Sequence, residues 1–456
     1  MKSGFMILGK DNLFLRNSQN FCAGGKNRQS IRRKILSVFK NVVFLKPNFN
    51  RTVKMKIKNL KLKNVGPFRE AELDFPQEHD ANGKIPVTII TGENGTGKSV
   101  IIDAIRLMFN HNAKVGRDIV ANHNDFQIEM TVDDEGDKHL SAKDYNGKLQ
   151  EKNRPFWRFF TTNPDERQYP NWVIDYWDSN LGSGTFSINN LSAIDIKSAL
   201  VDALDRGIAN VQLTNFICSI DYLRGSEEKT EAEMGNYVYD LIIKIFQQCL
   251  IDGYFVGVRR QTLSPVVSVK GAEVTLDKLS SGNLLLVERL IGFLQRLYSI
   301  CMLNNRPIQE MTQIDGILLV DEIENHLHPQ WQRRIVTILQ DMFPNLQIIM
   351  TTHSPFVVSS VDNAKIYVCE SKVEYAIVRD MTEDYSNLPV DEVLVSDVFG
   401  VSPFATKISD IQEQRKSAIE SGNTEKAKEL GEQLAKMNSN YFGFINLKES
   451  LNCLGK

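Results

Sequence analysis

Four short groups of residues carry types and spacings that could do chemistry on a phosphoanhydride. The first, Gly92-Glu93-Asn94-Gly95-Thr96-Gly97-Lys98-Ser99, fits the pattern GxxxxGK[ST]. Its glycines let the chain curl so that backbone N–H groups point inward at phosphate oxygens, and the helix expected to run from Val100 to Phe109 adds its positive end. Lys98 would neutralise the terminal phosphates, and the Ser99 hydroxyl is a hard oxygen ligand suited to Mg²⁺. The second group is Asp321-Glu322, which closes the apolar run Gly316–Val320. There Asp321 can hold Mg²⁺ through water, and Glu322 can take a proton from an attacking water; capping of a following helix is the plainer alternative for such a pair. The third, Leu279-Ser280-Ser281-Gly282-Asn283, reads locally as a serine-capped helix start. The fourth, Thr351-Thr352-His353-Ser354-Pro355, follows the apolar stretch 347–350, and by itself would be a structural histidine after a strand.

The elements that must position these groups are legible around them. Met55 to Leu62 alternates apolar and polar residues as a half-buried strand does, a turn is expected at Gly66-Pro67, and Ala71–Phe75 alternates again. Pro86–Ile90 and Gly316–Val320 are continuous apolar runs, the pattern of parallel strands buried on both faces. Open parallel sheets bind ligands beyond the carboxyl ends of their strands, where the Gly92 loop and Asp321-Glu322 both fall. The stretch from about Asp134 to 250 carries no nucleotide motif and is expected to form an inserted lid or arm, including a helix over Gly235–Leu250. Beyond Asp391 two charged helices flank Ser421-Gly422-Asn423, with Thr424 expected as the second helix's N-cap.

Taken in order, the phosphate loop, LSSG, the acidic strand end and Thr351–Pro355 resemble an ABC-type ATPase. The finer likeness is to the compact OLD, RecF and SMC branch, carried by Asn94-Gly95, by Asn64-Val65-Gly66-Pro67-Phe68, and by Asp321 to Pro329 with Trp331. The LSSGN signature, the THSP ending and the C-terminal hairpin further resemble ATPases of bacterial anti-phage modules of the Septu and retron-linked kind. This resemblance implies an α/β P-loop nucleotide-binding domain over 55–390, an insert at about 134–250, and a helical region over 391–456. It implies ATP and Mg²⁺ as ligands and a head-to-tail homodimer or higher oligomer, in which Leu279, Ser280, Ser281 and Gly282 of one copy close on the nucleotide of the other. It also implies that His353 senses the γ-phosphate and that Asn325–Pro329 couple the two sites. The chain departs from the family pattern at Asn283, where Gln or Glu is usual, and shows no clear Q-loop glutamine; Gln127 is the nearest candidate, and a solvent-facing strand residue is its plainer reading.

Composition bounds the partners. The chain has 456 residues, 42% hydrophobic and 24% charged, and no apolar run approaching a membrane span. Its six cysteines show no CxxC pair, which argues against zinc or a disulfide framework and for a cytoplasmic protein. The formal charge of −2 hides an asymmetry, because residues 1–54 hold twelve Lys or Arg against Asp11 alone, leaving that segment at +11 and the rest at −13. Ile31, Ile35, Val38, Phe39 and Val42 in this basic extension have helical spacing. It reads as sequence upstream of a natural start at Met55 and outside the fold, or as an arm for membrane or nucleic acid, or as a targeting segment. The acidic body speaks against DNA binding as the main role, although nucleic acid stays open as a partner. His326 and His328 with Glu324 could be taken for a metal set, but two histidines two apart cannot share a helix face, and they are expected in a loop rather than on a metal. No Toprim or HNH constellation is visible, so a separate effector such as a nuclease is expected beside a sensor or regulator ATPase. An ATP-locked scaffold with little turnover and a RecF-like DNA repair ATPase are the alternatives.

Overall fold

The computed structural model describes residues 55–110, 125–145, 148–152, 155–161, 163, 165–178, 185–205, 207–396, 399 and 404–443. The basic segment 1–54 and its expected amphipathic helix lie outside them.

An eleven-stranded sheet organises the chain, in the order β6-β5-β4-β1-β2-β14-β13-β3-β12-β11-β7. Its antiparallel half contains β1 (Met55–Val65), β2 (Phe68–Asp74), β4 (Gln127–Asp134), β5 (Asp137–Tyr145) and β6 (Lys148–Lys152). Its parallel half contains β3 (Thr88–Gly92), β7 (Val173–Trp177), β11 (Gly316–Val320), β12 (Leu346–Thr351) and β13 (Lys365–Ser371), with β14 (Ala376–Asp380) joining the two halves. The parallel strands β3, β7, β11 and β12 are buried along their whole length, as continuous apolar runs require.

Helices of eight residues or more are α1 (Lys98–Phe109), α2 (Asn210–Leu223), α3 (Lys229–Cys249), α4 (Ser281–Asn304), α5 (Ile335–Met342), α6 (Thr406–Glu420) and α7 (Thr424–Met437). The first five of them pack on the parallel half, α1 in one hydrophobic layer and α2–α5 in the other. Leu318 and Val320 of β11 join the cluster built with α2, α3, α4 and α5, while Ile317 and Leu319 join the cluster of α1 and the antiparallel strands. That split is the period-2 alternation of a strand between two hydrophobic layers.

A second sheet, β10-β9-β8, holds β8 (Gly253–Arg259), β9 (Ser264–Val269) and β10 (Ala272–Thr275) and leads directly into α4. Phe255 of β8 stacks on Phe246 of α3 with centroids 4.5 Å apart.

Three expectations change. The stretch around 134–250 is built into the core rather than standing off it: β7 pairs with β11, and α3 buries Val238, Ile242, Ile245 and Phe246 completely. The helix expected at Gly235 begins six residues earlier, at Lys229, because the mainly polar residues 229–233 continue the helical register without adding large apolar positions to reveal it. In the α6–α7 hairpin, the cap of α7 is Asn423, whose side chain accepts from the Lys426 N–H at 3.1 Å, and Thr424 is the first helical residue. Asn serves this position better than Thr. The hairpin closes over its own small core of Ile411, Leu430, Leu434 and Phe442.

Candidate functional site: a phosphate loop stitched to two neighbouring strand ends

The loop Gly92–Gly97 leaves the end of β3 and turns into α1, and β3 lies between β12 and β13. Gly97 takes φ 95°, and a Cβ there would stand 2.5 Å from Pro67 Cγ and 2.8 Å from the Phe68 ring, so this position admits only glycine. The turn that the sequence places at Gly66-Pro67 therefore abuts the phosphate loop. Glu93, Asn94 and Gly95 are exposed at its tip, while Thr96 is buried and donates to the Glu93 carbonyl at 2.8 Å. Lys98 is buried and folds back across the loop, its ammonium donating to the carbonyls of Glu93 at 2.7 Å and Gly92 at 3.2 Å. Burial pulls its pKa below the ordinary lysine value, while Cys369, Glu324, Asp321 and Glu322 pull it the other way. Val100 is buried beneath the helix start.

Asp321 and Glu322 stand where β11 ends. The Ser99 hydroxyl donates to Asp321 Oδ1 at 3.0 Å, and the Thr351 hydroxyl donates to the same oxygen at 2.5 Å. Thr351 Oγ1 in turn accepts from the Glu322 N–H at 2.8 Å. Glu322 has φ 50°, a left-handed conformation uncommon for a residue with a side chain, and its carboxylate accepts from Asn325 Nδ2 at 2.6 Å. One hydrogen bond thus holds the carboxylate and another holds its strained backbone.

Glu324 accepts the Thr352 hydroxyl at 2.7 Å and the His353 N–H at 2.5 Å, joining the β11 end to the segment after β12. Ser354 donates to Gln332 at 2.6 Å across the same gap. His353 is half-buried, and burial together with the Lys98 ammonium lowers its pKa below the ordinary imidazole value, so the ring is neutral at pH 7.

The signature region forms the start of α4. Ser280 is the N-cap, yet its hydroxyl makes no capping bond, and both Ser280 and Ser281 are exposed. Leu279 is half-buried against the core. Gly282 is buried, and a Cβ there would collide with the His326 carbonyl oxygen, so the helix approaches the loop after Glu322 as closely as backbone allows. Asn283 accepts from Trp331 Nε1 at 3.2 Å. This short amide reaches the indole and gives a local reason for the departure from Gln or Glu. Gln127 lies at the start of β4, bonded to Glu129 at 2.6 Å, as a strand residue on an exposed face would be.

Further along α4, Arg296 pairs with Asp175 of β7 in a fully buried ion pair, and also donates to the Ala199 carbonyl at 2.9 Å. One turn pair earlier Arg289 binds Asp178. The opposite face of β7 presents Tyr176, whose ring lies 3.8 Å from the Arg106 guanidinium of α1. Strand β7 is thus keyed to both the phosphate-loop helix and the signature helix. Asp175 and Asp178 had no motif to announce them; Glu324 lay inside the run Asp321–Pro329, which gave it no role of its own.

The arrangement brings together a hydroxyl and a carboxylate oxygen 3.0 Å apart, an adjacent lysine, and a directed glutamate. Hard oxygen donors beside a lysine at a helix N-terminus fit a triphosphate with a divalent cation. Among the described residues no cluster of His, Cys, Asp and Glu could hold another metal ion, and His326, with φ 61°, sits in the loop expected for it. No helix of the described residues is long and apolar enough to cross a membrane.

Two family models match: one described as "AAA domain" over residues 59–221, and one described as "AAA domain, putative AbiEii toxin, Type IV TA system" over residues 221–359. The chain is 24% identical over 370 residues to the Septu protein PtuA of Bacillus thuringiensis, covering 73% of this chain and 84% of that protein. It is 36% identical over 110 residues to the "Retron Vc95 probable ATPase" of Vibrio cholerae serotype O1 biovar El Tor, covering 24% of this chain and 21% of that one. A second PtuA, from Bacillus mycoides (strain KBAB4), is matched over 45% of its length. Among solved structures, the SMC head domain from Thermotoga maritima matches at 16% identity and TM-score 0.41, over 72% of this chain and 99% of that one. With its phosphate loop, acidic strand end and signature helix in this order on an α/β sheet, the chain is a P-loop ATPase, similar to the Septu and retron ATPases.

Proposed function

We propose that two copies of this chain close head to tail around two ATP–Mg²⁺, hydrolyse them, and in doing so regulate a separate effector in an anti-phage defence system. The observation that carries the dimer is the start of α4: two exposed serines, an uncapped Ser280 hydroxyl and the free N–H groups of a 24-residue helix, an anion site displayed on the surface. Such a site suits the γ-phosphate held by another copy.

Within one copy, Lys98 leaves the Gly92 and Glu93 carbonyls to neutralise the terminal phosphates, and the loop N–H groups hold the others. Ser99 and Asp321 would hold Mg²⁺, which would supply charge neutralisation to the phosphates. Glu322, aimed by Asn325 and Thr351, takes the proton of the attacking water. His353, neutral, offers a ring N–H toward the terminal phosphate. Positioning and electrostatics do the work, and the partner's Ser280, Ser281 and Gly282 complete the charge stabilisation.

The defence role rests on the likeness to the Septu and retron proteins, and we place the effector, a nuclease by expectation, on a partner polypeptide in the cytoplasm. The test is twofold. Purified chain with Mg²⁺ and ATP should hydrolyse ATP, and its mass in light scattering should double with ATP when turnover is blocked. Labelled DNA and RNA should stay intact with this chain alone; metal-dependent cleavage that survives Lys98→Ala would place a nuclease in this chain and overturn the division of labour.

A further inference from the structure

Glu324 is the acid that the nucleotide motifs leave without a task. It lies three residues after Asp321, on the backbone that leads from the catalytic pair into the loop at His326. Its side chain faces away from that loop, toward the segment after β12. One carboxylate oxygen accepts the Thr352 hydroxyl at 2.7 Å, and the other accepts the His353 backbone N–H at 2.5 Å. Thr352 is fully buried, and its oxygen also accepts the Ser354 N–H at 3.0 Å, so its hydroxyl proton is directed at Glu324. Burial raises the Glu324 carboxyl above its ordinary range, against these two donors, which marks the carboxylate as held in a place that costs solvation.

The backbone on either side of Glu324 is equally constrained. Its carbonyl accepts the Leu327 N–H at 2.9 Å, closing the turn that carries His326, and the His326 carbonyl is the atom against which Gly282 of the signature helix packs. A single residue therefore contacts the His353 backbone through its side chain and shapes the signature-facing loop through its main chain.

We propose that Glu324 is a positioning residue: its carboxylate sets the backbone of His353, and so the direction of the imidazole, and ties that setting to the loop beneath the signature helix. The inference rests on the reading of His353 as a group that acts on the bound nucleotide. Removing the carboxylate leaves two buried donors without an acceptor, and the His353 segment then relaxes to find others. An amide in its place keeps one acceptor for the His353 N–H but presents an NH₂ to Thr352, whose oxygen already accepts from Ser354. Glu324→Gln is thus a graded lesion, and Glu324→Ala the full one.

The experiment is a double-mutant cycle on steady-state ATP turnover with His353→Ala, Glu324→Gln, Glu324→Ala and the two double variants, beside ATP affinity and thermal melting. The expected result is a fall in kcat of roughly tenfold for Glu324→Gln and more for Glu324→Ala, with KM and ATP affinity within about twofold of the parent. In the His353→Ala background the same changes should add little, because the ring they position is gone. A kcat loss that multiplies fully on that background overturns the proposal, as does an unchanged kcat in Glu324→Gln. Should Glu324→Ala fail to fold, Thr352→Val, which deletes one of the two donors and keeps the carboxylate, is expected to lower kcat by less than Glu324→Gln with KM unchanged. An ineffective His353→Ala is a different outcome: it would remove the catalytic reading of His353, on which the inference rests.

Discussion

The Ser99 hydroxyl donates to Asp321 Oδ1 at 3.0 Å, although 222 residues separate the two in the chain. One oxygen comes from the first turn of α1 and the other from the end of β11, and with β12 between β3 and β11 the sheet sets their separation. If this pair holds Mg²⁺, Asp321→Asn should raise the Mg²⁺ concentration for half-maximal ATPase rate at least about tenfold, since an amide lacks the charge that retains a hard cation. Magnesium titration of turnover checks this, and an unshifted midpoint would move the metal ligand elsewhere.

Lys98 bridges its own loop's carbonyls through 2.7 and 3.2 Å contacts, and the motif supplies no other cation at this point. Lys98→Ala should weaken ATP binding by about tenfold or more, the scale of a lost charge-assisted hydrogen bond. Titration with a fluorescent nucleotide measures it. Affinity equal to the parent's would sink the phosphate-loop assignment.

Glu322 is held through its backbone N–H by Thr351 and through its carboxylate by Asn325, and lies next to Asp321, the proposed metal ligand. Glu322→Gln should keep ATP affinity while lowering turnover by on the order of a hundredfold or more, because an amide can accept a hydrogen bond but not a proton at neutral pH. The variant should accumulate as an ATP-dependent dimer in light scattering. Parent-like turnover without a mass increase would assign the base to another residue.

Arg296 and Asp175 form an ion pair with side chains 2% and 0% exposed. Arg296→Ala strips the charge from one side only and should destabilise the fold by about 3–5 kcal/mol, whereas Arg296→Met with Asp175→Leu should recover much of that loss. Urea melts of the three proteins decide it. A single variant as stable as the parent would mean that water reaches Asp175.

His353 has a folded-state pKa depressed by burial and by Lys98, below the ordinary imidazole value of 6.5. Around and below pH 6.5 the unfolded chain therefore binds more protons at this site than the folded one, so its contribution to stability is complete above that pH and is lost as pH falls toward the folded pKa. His353→Asn should remove that part of the acid sensitivity. Denaturant melts at pH 7.5 and 5.5 test the sign: a parent that loses no more stability on acidification than the variant would contradict it.

The sequence by itself determined the phosphate loop, the acidic strand end and the buried character of β3 and β11, because these depend on local patterns: glycines at fixed offsets and unbroken apolar runs. It also determined the basic charge of residues 1–54 and the order of motifs that suggests an ATPase. Other features needed the tertiary structure. Asp175 lies in a stretch with no motif and becomes meaningful only because β7 pairs with β11 and faces Arg296, 121 residues away. Gly282 looks like an ordinary helix-start residue until the His326 carbonyl is found against it, and Glu324 looks like one more surface acid until the Thr352 hydroxyl and the His353 N–H converge on it. Local pattern fixes what a strand or loop can be. Which strands become neighbours is a matter of long-range burial and pairing, and the partners of a buried polar group are set there, because a buried donor or acceptor must be satisfied by whatever the fold brings within 3 Å or so.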